Sequence, residues 1–137
     1  MSADSLPLKW IDIDLAAIGS NAAWVAARLR PGVAFTAVVK ADGYGHGAVE
    51  TARTALKAGA TRLGVRDLAE AAVLRRTGIR APIVLLAPIL LEQASEAIRL
   101  GVTPTVDALE QARALAAAAG RTVSIHVDLD FGLGRWG

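Results

Sequence analysis

The chain has 137 residues, enough for one domain with its own core. Aliphatic residues dominate and aromatics make up only 4%, so that core is built from Ala, Val, Leu and Ile. The absence of cysteine excludes a disulfide framework and a thiolate metal site, and a net charge of +2 spread over scattered arginines gives no basic stripe for nucleic acid.

The opening stretch "MSADSLPLKW" lacks the apolar segment of a signal peptide. No apolar run reaches the roughly 20 residues of a membrane span, and the expectation is a cytoplasmic globular protein with no membrane partner. Next, "KWIDIDL" alternates apolar and acidic residues and predicts a half-exposed strand, with Asp12 and Asp14 on its solvated face. "LAAIGSNAAWVAARLR" has helical spacing and stops at Pro31-Gly32. Trp10 and Trp24 read as packing residues.

"VAFTAVVKA" is a near-continuous β-rich run, the pattern of a strand covered on both faces. The helix "GAVETARTALKAG", the strand "RLGVRD", the helix "LAEAAVLRRTG" and the strand "APIVLLAP" follow in turn. After them come the helix "LEQASEAIRLG", the weaker strand "VTPTVD" and the helix "ALEQARALAAAAG", for which Asp107 is a candidate cap. "RTVSIHVDLDFGLGRWG" adds a last strand and a glycine-rich loop. No linker or low-complexity block divides residues 1–137.

This alternation predicts βα units and a parallel sheet. Five barrel-type strands start at Phe35, Leu63, Ile83, Thr103 and Val123. A closed (β/α)8 barrel needs eight strands and about 250 residues, so the fold class is α/β: the N-terminal part of a TIM-type barrel, preceded by one extra strand. A flavodoxin-like sheet also uses five parallel strands, but the extra strand fits it poorly.

Within this frame "VVKADGYGHG" stands out. The chain has three lysines, Lys9, Lys40 and Lys57, and Lys40 falls at the C-terminal end of a buried strand, where α/β folds place their chemistry. A buried ammonium is costly unless paired or neutralised, and an amine in such a place can condense with an aldehyde to a Schiff base. Gly43, Gly45 and Gly47 let the loop turn sharply, and Tyr44 offers a phenol at phosphate-contact range. A snorkelling lysine before an ordinary βα turn is the alternative reading.

"AVVKADGYGHG" closely resembles the cofactor-attachment motif of alanine racemases, pyridoxal-phosphate enzymes built from a barrel and a C-terminal β-domain. "WIDIDLAAIGSN", "RLGVRDLAEAAVLRRTGIRAPIVLLAP" and "VDLDFGLGRWG" resemble further stretches of that family, in the same order. The resemblance implies interconversion of L- and D-alanine, supplying D-alanine for cell-wall peptidoglycan, by a homodimer when full length. It implies pyridoxal 5'-phosphate as cofactor. Lys40 would carry it and act as the base on one face; Tyr44 would hydrogen-bond its phosphate; Leu86 would line it, or serve only the core. Arg135 would sit near the cofactor's phenolic oxygen and orient the substrate carboxylate.

Asp130 matches the family's aspartate, whereas Phe131 and Leu133 replace a threonine and a methionine. Asp128 stands where many members carry a carbamylated lysine; its carboxylate would pair Arg135 directly, or simply face solvent. His46 would support the cofactor site from behind, or, the preferred reading for a lone loop histidine, make a structural hydrogen bond. The family's second base, a tyrosine of the β-domain, has no counterpart here, since Tyr44 is the one tyrosine. The expectation is an N-terminal portion lacking the last barrel units and the β-domain, and inactive alone. A broader-specificity racemase of the same fold and a non-catalytic cofactor-binding remnant are the alternatives.

Overall fold

Five short segments form parallel strands in the computed structural model, which describes residues 9–137; the segment "MSADSLPL" lies outside them. The strands are β1 (Thr36–Val38), β2 (Arg62–Val65), β3 (Ile83–Pro88), β4 (Thr103–Val106) and β5 (His126–Val127). They pair in chain order, β1-β2-β3-β4-β5, every pair parallel. A flavodoxin-like sheet places its second strand outside its first. Strictly sequential order is that of a barrel wall.

The helices are α1 (Leu15–Ala26), a single turn α2 (Lys40–Tyr44), α3 (Ala48–Lys57), α4 (Leu68–Arg76), α5 (Ala94–Leu100) and α6 (Leu109–Ala119). A 3₁₀ turn, Leu91–Gln93, leads into α5. Neighbours in sequence are neighbours in space: α1 packs on α3, α3 on α4, α4 on α5 and α5 on α6. This is the outer ring that right-handed βα crossovers produce.

Strand alternation divides the sheet into two faces. Leu63, Val65, Ile83 and Leu85 point outward into a buried core with Ala52, Ala71, Leu74, Ala97 and Leu115 from the helices. Alanines on the helix side let the helices lie close to the sheet. On the other face the register sets Val38 beside Gly64 and Gly64 beside Val84. A Cβ on Gly64 would lie 3.3 Å from Leu86 Cδ1 and 3.4 Å from Val38 Cγ2, so the inner face closes tightly there.

Arg75, at the end of α4, ties two βα units together. Its Nε donates to Leu100 O at 2.9 Å and Nη2 to Gly101 O at 3.1 Å, at the end of α5. Its Nη1 donates to Ile79 O at 3.0 Å and Ala81 O at 2.8 Å, before β3. Burial and the nearby Arg80 charge push this guanidinium's pKa below its ordinary value.

Several sequence expectations need correction. The extra strand over "KWIDIDL" does not form: residues 9–14 carry no strand, and Trp10 and Ile11 are exposed. Asp14 is solvated as expected, but it caps α1 rather than lying on a strand, accepting from Ala16 N at 2.9 Å and Ala17 N at 3.0 Å. A segment that ends in a helix cap, with no neighbouring strand among the described residues, has no ladder to join. Trp24 is exposed rather than packed inside, with the Arg28 guanidinium 3.5 Å from its ring centroid. Asp107 does not cap α6: its Oδ1 accepts from Gln111 Nε2 at 2.7 Å, while Gln111 Oε1 accepts from Asp107 N at 2.9 Å and Ala108 N at 3.3 Å. The last strand is two residues long, His126–Val127, not a run from Val123.

Candidate active site

The ladder continues one residue beyond β1, Val39 N donating to Gly64 O at 2.8 Å. Lys40 comes next. There the chain leaves the extended conformation, with ψ 21° at Val39, and Lys40 stands half-buried at the C-terminal end of the sheet.

The chain then turns left-handed: φ is 50° at Ala41, 52° at Asp42, 64° at Gly43 and 55° at Tyr44. L-residues pay roughly 1–2 kcal/mol each for this conformation, and three of the four are not glycine. Specific bonds hold it. Gly43 N donates to Val39 O at 2.9 Å, and Gly45 N to Ala41 O at 3.1 Å. Asp42 Oδ1 accepts from Ala48 N at 2.8 Å, at the start of α3, while Gly47 N donates to Asp42 O at 2.9 Å. Ala41 N donates to Glu70 Oε1, from α4, at 2.8 Å. His46 Nδ1 donates to Gly43 O at 2.9 Å, the structural bond expected of it.

Gly43 is buried, and a Cβ there would lie 3.2 Å from Thr51 Oγ1 and 3.3 Å from Ala48 N. The turn brings Tyr44 back over Lys40, with Nζ 5.8 Å from the ring centroid. Tyr44 is 59% exposed, so its phenol remains open to a ligand.

Leu86, half-buried on β3, lines a cavity of about 180 Å³ with Thr105, His126 and Asp128. The side chain of Leu86 thus lies near Asp128, where β5 ends. Asp128 is half-buried and anchored through its own amide, which donates to Val106 O at 2.9 Å. Arg135 is exposed and shares a cavity of about 220 Å³ with Asp128, Asp130 and Trp136. The direct Asp128–Arg135 ion pair is not formed: among the described residues the ion pairs are Arg53–Glu50, Arg66–Asp67 and Arg99–Glu96. Asp130 Oδ1 instead organises the loop, accepting from Gly132 N at 2.8 Å and Gly134 N at 3.0 Å. The Gly134 and Gly132 amides hold its carboxyl below the usual range.

The structure thus sets Tyr44 beside Lys40, while Leu86 and Arg135 each line a cavity with Asp128 and neither bonds to it. Two organisers escaped the sequence reading, Asp42 and Glu70. Asp42 sits inside the quoted motif, and Glu70 completes "DLAE", a helix-start signature; both signals were present and both look local.

A sequential parallel wall of βα units, with an amine at the C-terminal end of its first strand, defines the barrel class of α/β proteins, whose sites lie on that rim. The family model for the alanine racemase N-terminal domain matches residues 13–137. The alanine racemase of Desulforamulus reducens is 45% identical over 131 residues, covering 93% of this chain and 35% of that protein. The solved alanine racemase of Bacillus anthracis with bound L-Ala-P superposes with a TM-score of 0.83 at 36% identity, over 98% of this chain and 36% of that one. That of Streptomyces lavendulae gives a TM-score of 0.79 at 41% identity, over 91% and 33%. The chain belongs to the alanine racemase N-terminal domain family. It spans about 35% of the length of the relatives it matches.

Proposed function

We propose that this chain is the cofactor-bearing barrel portion of a pyridoxal-phosphate-dependent alanine racemase, interconverting L- and D-alanine. The observation that carries the reading is Lys40 at the rim of β1, half-buried, with an open tyrosine folded back to 5.8 Å from its amine. An amine so placed fits an aldehyde, and the neighbouring phenol fits a phosphate oxygen. When bound, pyridoxal phosphate supplies an electron sink that acidifies the α-hydrogen of an amino acid.

The chain's own residues have distinct tasks in this proposal. Lys40 Nζ is the attachment point and then takes or returns the α-proton on one face. Tyr44 donates its hydroxyl to the phosphate. Leu86 provides apolar contact from β3. Arg135 donates to the cofactor's phenolic oxygen and to the substrate carboxylate, a task that suits a planar, always-charged guanidinium. Asp130 shapes the Arg135 loop through Gly132 and Gly134. Racemisation needs a second base on the opposite face of the α-carbon, and Tyr44 is committed to the phosphate. The remaining barrel units and the β-domain with its tyrosine complete the proposed enzyme. The cytoplasmic location, the homodimer and the supply of D-alanine to peptidoglycan belong to the same family reading.

The test is a chimera in which residues 13–137 replace the matching segment of the Desulforamulus reducens alanine racemase. It should form D-alanine from L-alanine in a coupled assay and lose that activity with Lys40→Ala. A folded chimera that racemises other amino acids but not alanine would contradict the substrate assignment, and one that keeps its activity without Lys40 would contradict the mechanism.

A further inference from the structure

We infer that Glu70 is a positioning residue for Lys40: its carboxylate holds the left-handed turn that fixes where the amine stands. Its two oxygens serve two different βα loops. Oε1 accepts from Ala41 N at 2.8 Å, the amide directly after Lys40, and Oε2 accepts from Arg66 N at 2.8 Å, just past β2. One side chain on α4 therefore pins together the C-terminal ends of β1 and β2.

Local sequence assigns Glu70 a different duty. Asp67 is the N-cap of α4, accepting from Glu70 N at 3.1 Å, and "DLAE" has the spacing of a capping box, in which the glutamate returns to the cap residue's own amide. Here the glutamate passes that amide by. It bonds to the residue before the cap and to a residue 29 positions earlier in the chain.

Packing does not do this work. Behind the turn lies a cavity of about 120 Å³ between Val39, Ala48, Val65 and Val73, whose polar side chains are Asp42 and Glu70. Both carboxylates accept backbone amides of the lysine loop or its exit. Ala41 has φ 50°; its carbonyl accepts from Gly45 N within the loop, and the Glu70 carboxylate, on its amide, ties it from outside the loop.

A carboxylate is required because both partners are donors. A carboxamide has one oxygen, and its NH₂ would face the other N–H. Glu70→Gln in this chain should therefore speed hydrogen exchange of the Ala41 or Arg66 amide by about ten- to a hundredfold, with circular dichroism unchanged. Labelling of Lys40 by pyridoxal phosphate and borohydride should slow severalfold relative to Lys57, an exposed lysine on α3 that serves as an internal reference. Glu70→Asp keeps the charge at the start of α4 but falls short of Ala41; it should repeat the effect, and it decides the matter if the glutamine variant does not fold. If Glu70→Asp protects Ala41 and labels Lys40 as the parent does, Glu70 acts only on its own helix and the inference is wrong.

The labelling arm rests on the cofactor reading; the exchange arm does not. If the parent labels Lys40 no faster than Lys57, the cofactor reading fails. Glu70 is then judged by Ala41 and Arg66 exchange alone: unchanged rates overturn its role, faster rates support it.

Discussion

Gly43 occupies a left-handed position, φ 64°, in a buried site where an added Cβ would press on Thr51 and on the Ala48 backbone. Gly45, two residues on, has φ 84° but nothing within 4 Å. Gly43→Ala should therefore cost about 1–3 kcal/mol and Gly45→Ala about 1 kcal/mol, read by urea denaturation of the two variants side by side. Equal losses would mean that the close contacts at Gly43 relax freely. At this scale the sequence made Lys40 legible, because a charged residue ending an apolar run is an anomaly that chemistry must explain. Asp42 and Glu70 were not legible. Their partners are backbone amides, and one of those lies in a distant unit, so a spacing such as "DLAE" announces only a local cap.

Within the elements, Arg75 shows how a cation can close helix ends without a carboxylate partner, through its four bonds to backbone carbonyls. Arg75→Met keeps most of the apolar stem and leaves those carbonyls short of donors; thermal unfolding should show a loss of about 2–4 kcal/mol. Asp67 adds a pH dependence. Burial pushes its carboxyl up, but the Glu70 amide and the Arg66 guanidinium together outweigh this and leave it below the ordinary value. A depressed pKa contributes stability above the unfolded value, near 3.9, and loses it as pH falls through the folded value. Asp67→Ala should thus be about 1 kcal/mol less stable than the parent at neutral pH, with the gap closing below about pH 4. A gap that persisted in acid would show that the charged cap is not its source. The βα alternation was readable because period-2 and period-3.6 patterns separate cleanly. The pattern over "KWIDIDL" misled because alternation describes one strand and cannot say whether a neighbour exists. Asp14 is both solvated and a helix cap, as a short carboxylate one residue before a helix can be.

For the whole molecule, sequential order leaves β1 and β5 at the two edges of the described sheet, each with an unpaired row of N–H and C=O groups. Beside β5, the apolar side chains Val127, Leu129, Phe131 and Leu133 are exposed, Phe131 at 92%. Such an edge beside such a patch favours association. In sedimentation, the 137-residue chain should run above monomer mass, and Val127→Lys should shift it toward monomer; a parent that is monomeric at high concentration would contradict this. The barrel-wall order itself was foreseeable from unbroken βα repetition. The inner face was less so, because Gly64, Val84 and Leu86 come together only through register.

The amine at the rim of β1 carries the proposed chemistry. Treating the chain with excess pyridoxal phosphate, fixing the adduct with borohydride and mapping the peptides tests it directly. The pyridoxyl label should fall on Lys40 ahead of Lys9 and Lys57, and Tyr44→Phe should weaken that preference. A label spread evenly over the three lysines, or indifferent to Tyr44, would show that Lys40 is an ordinary lysine at the end of a strand.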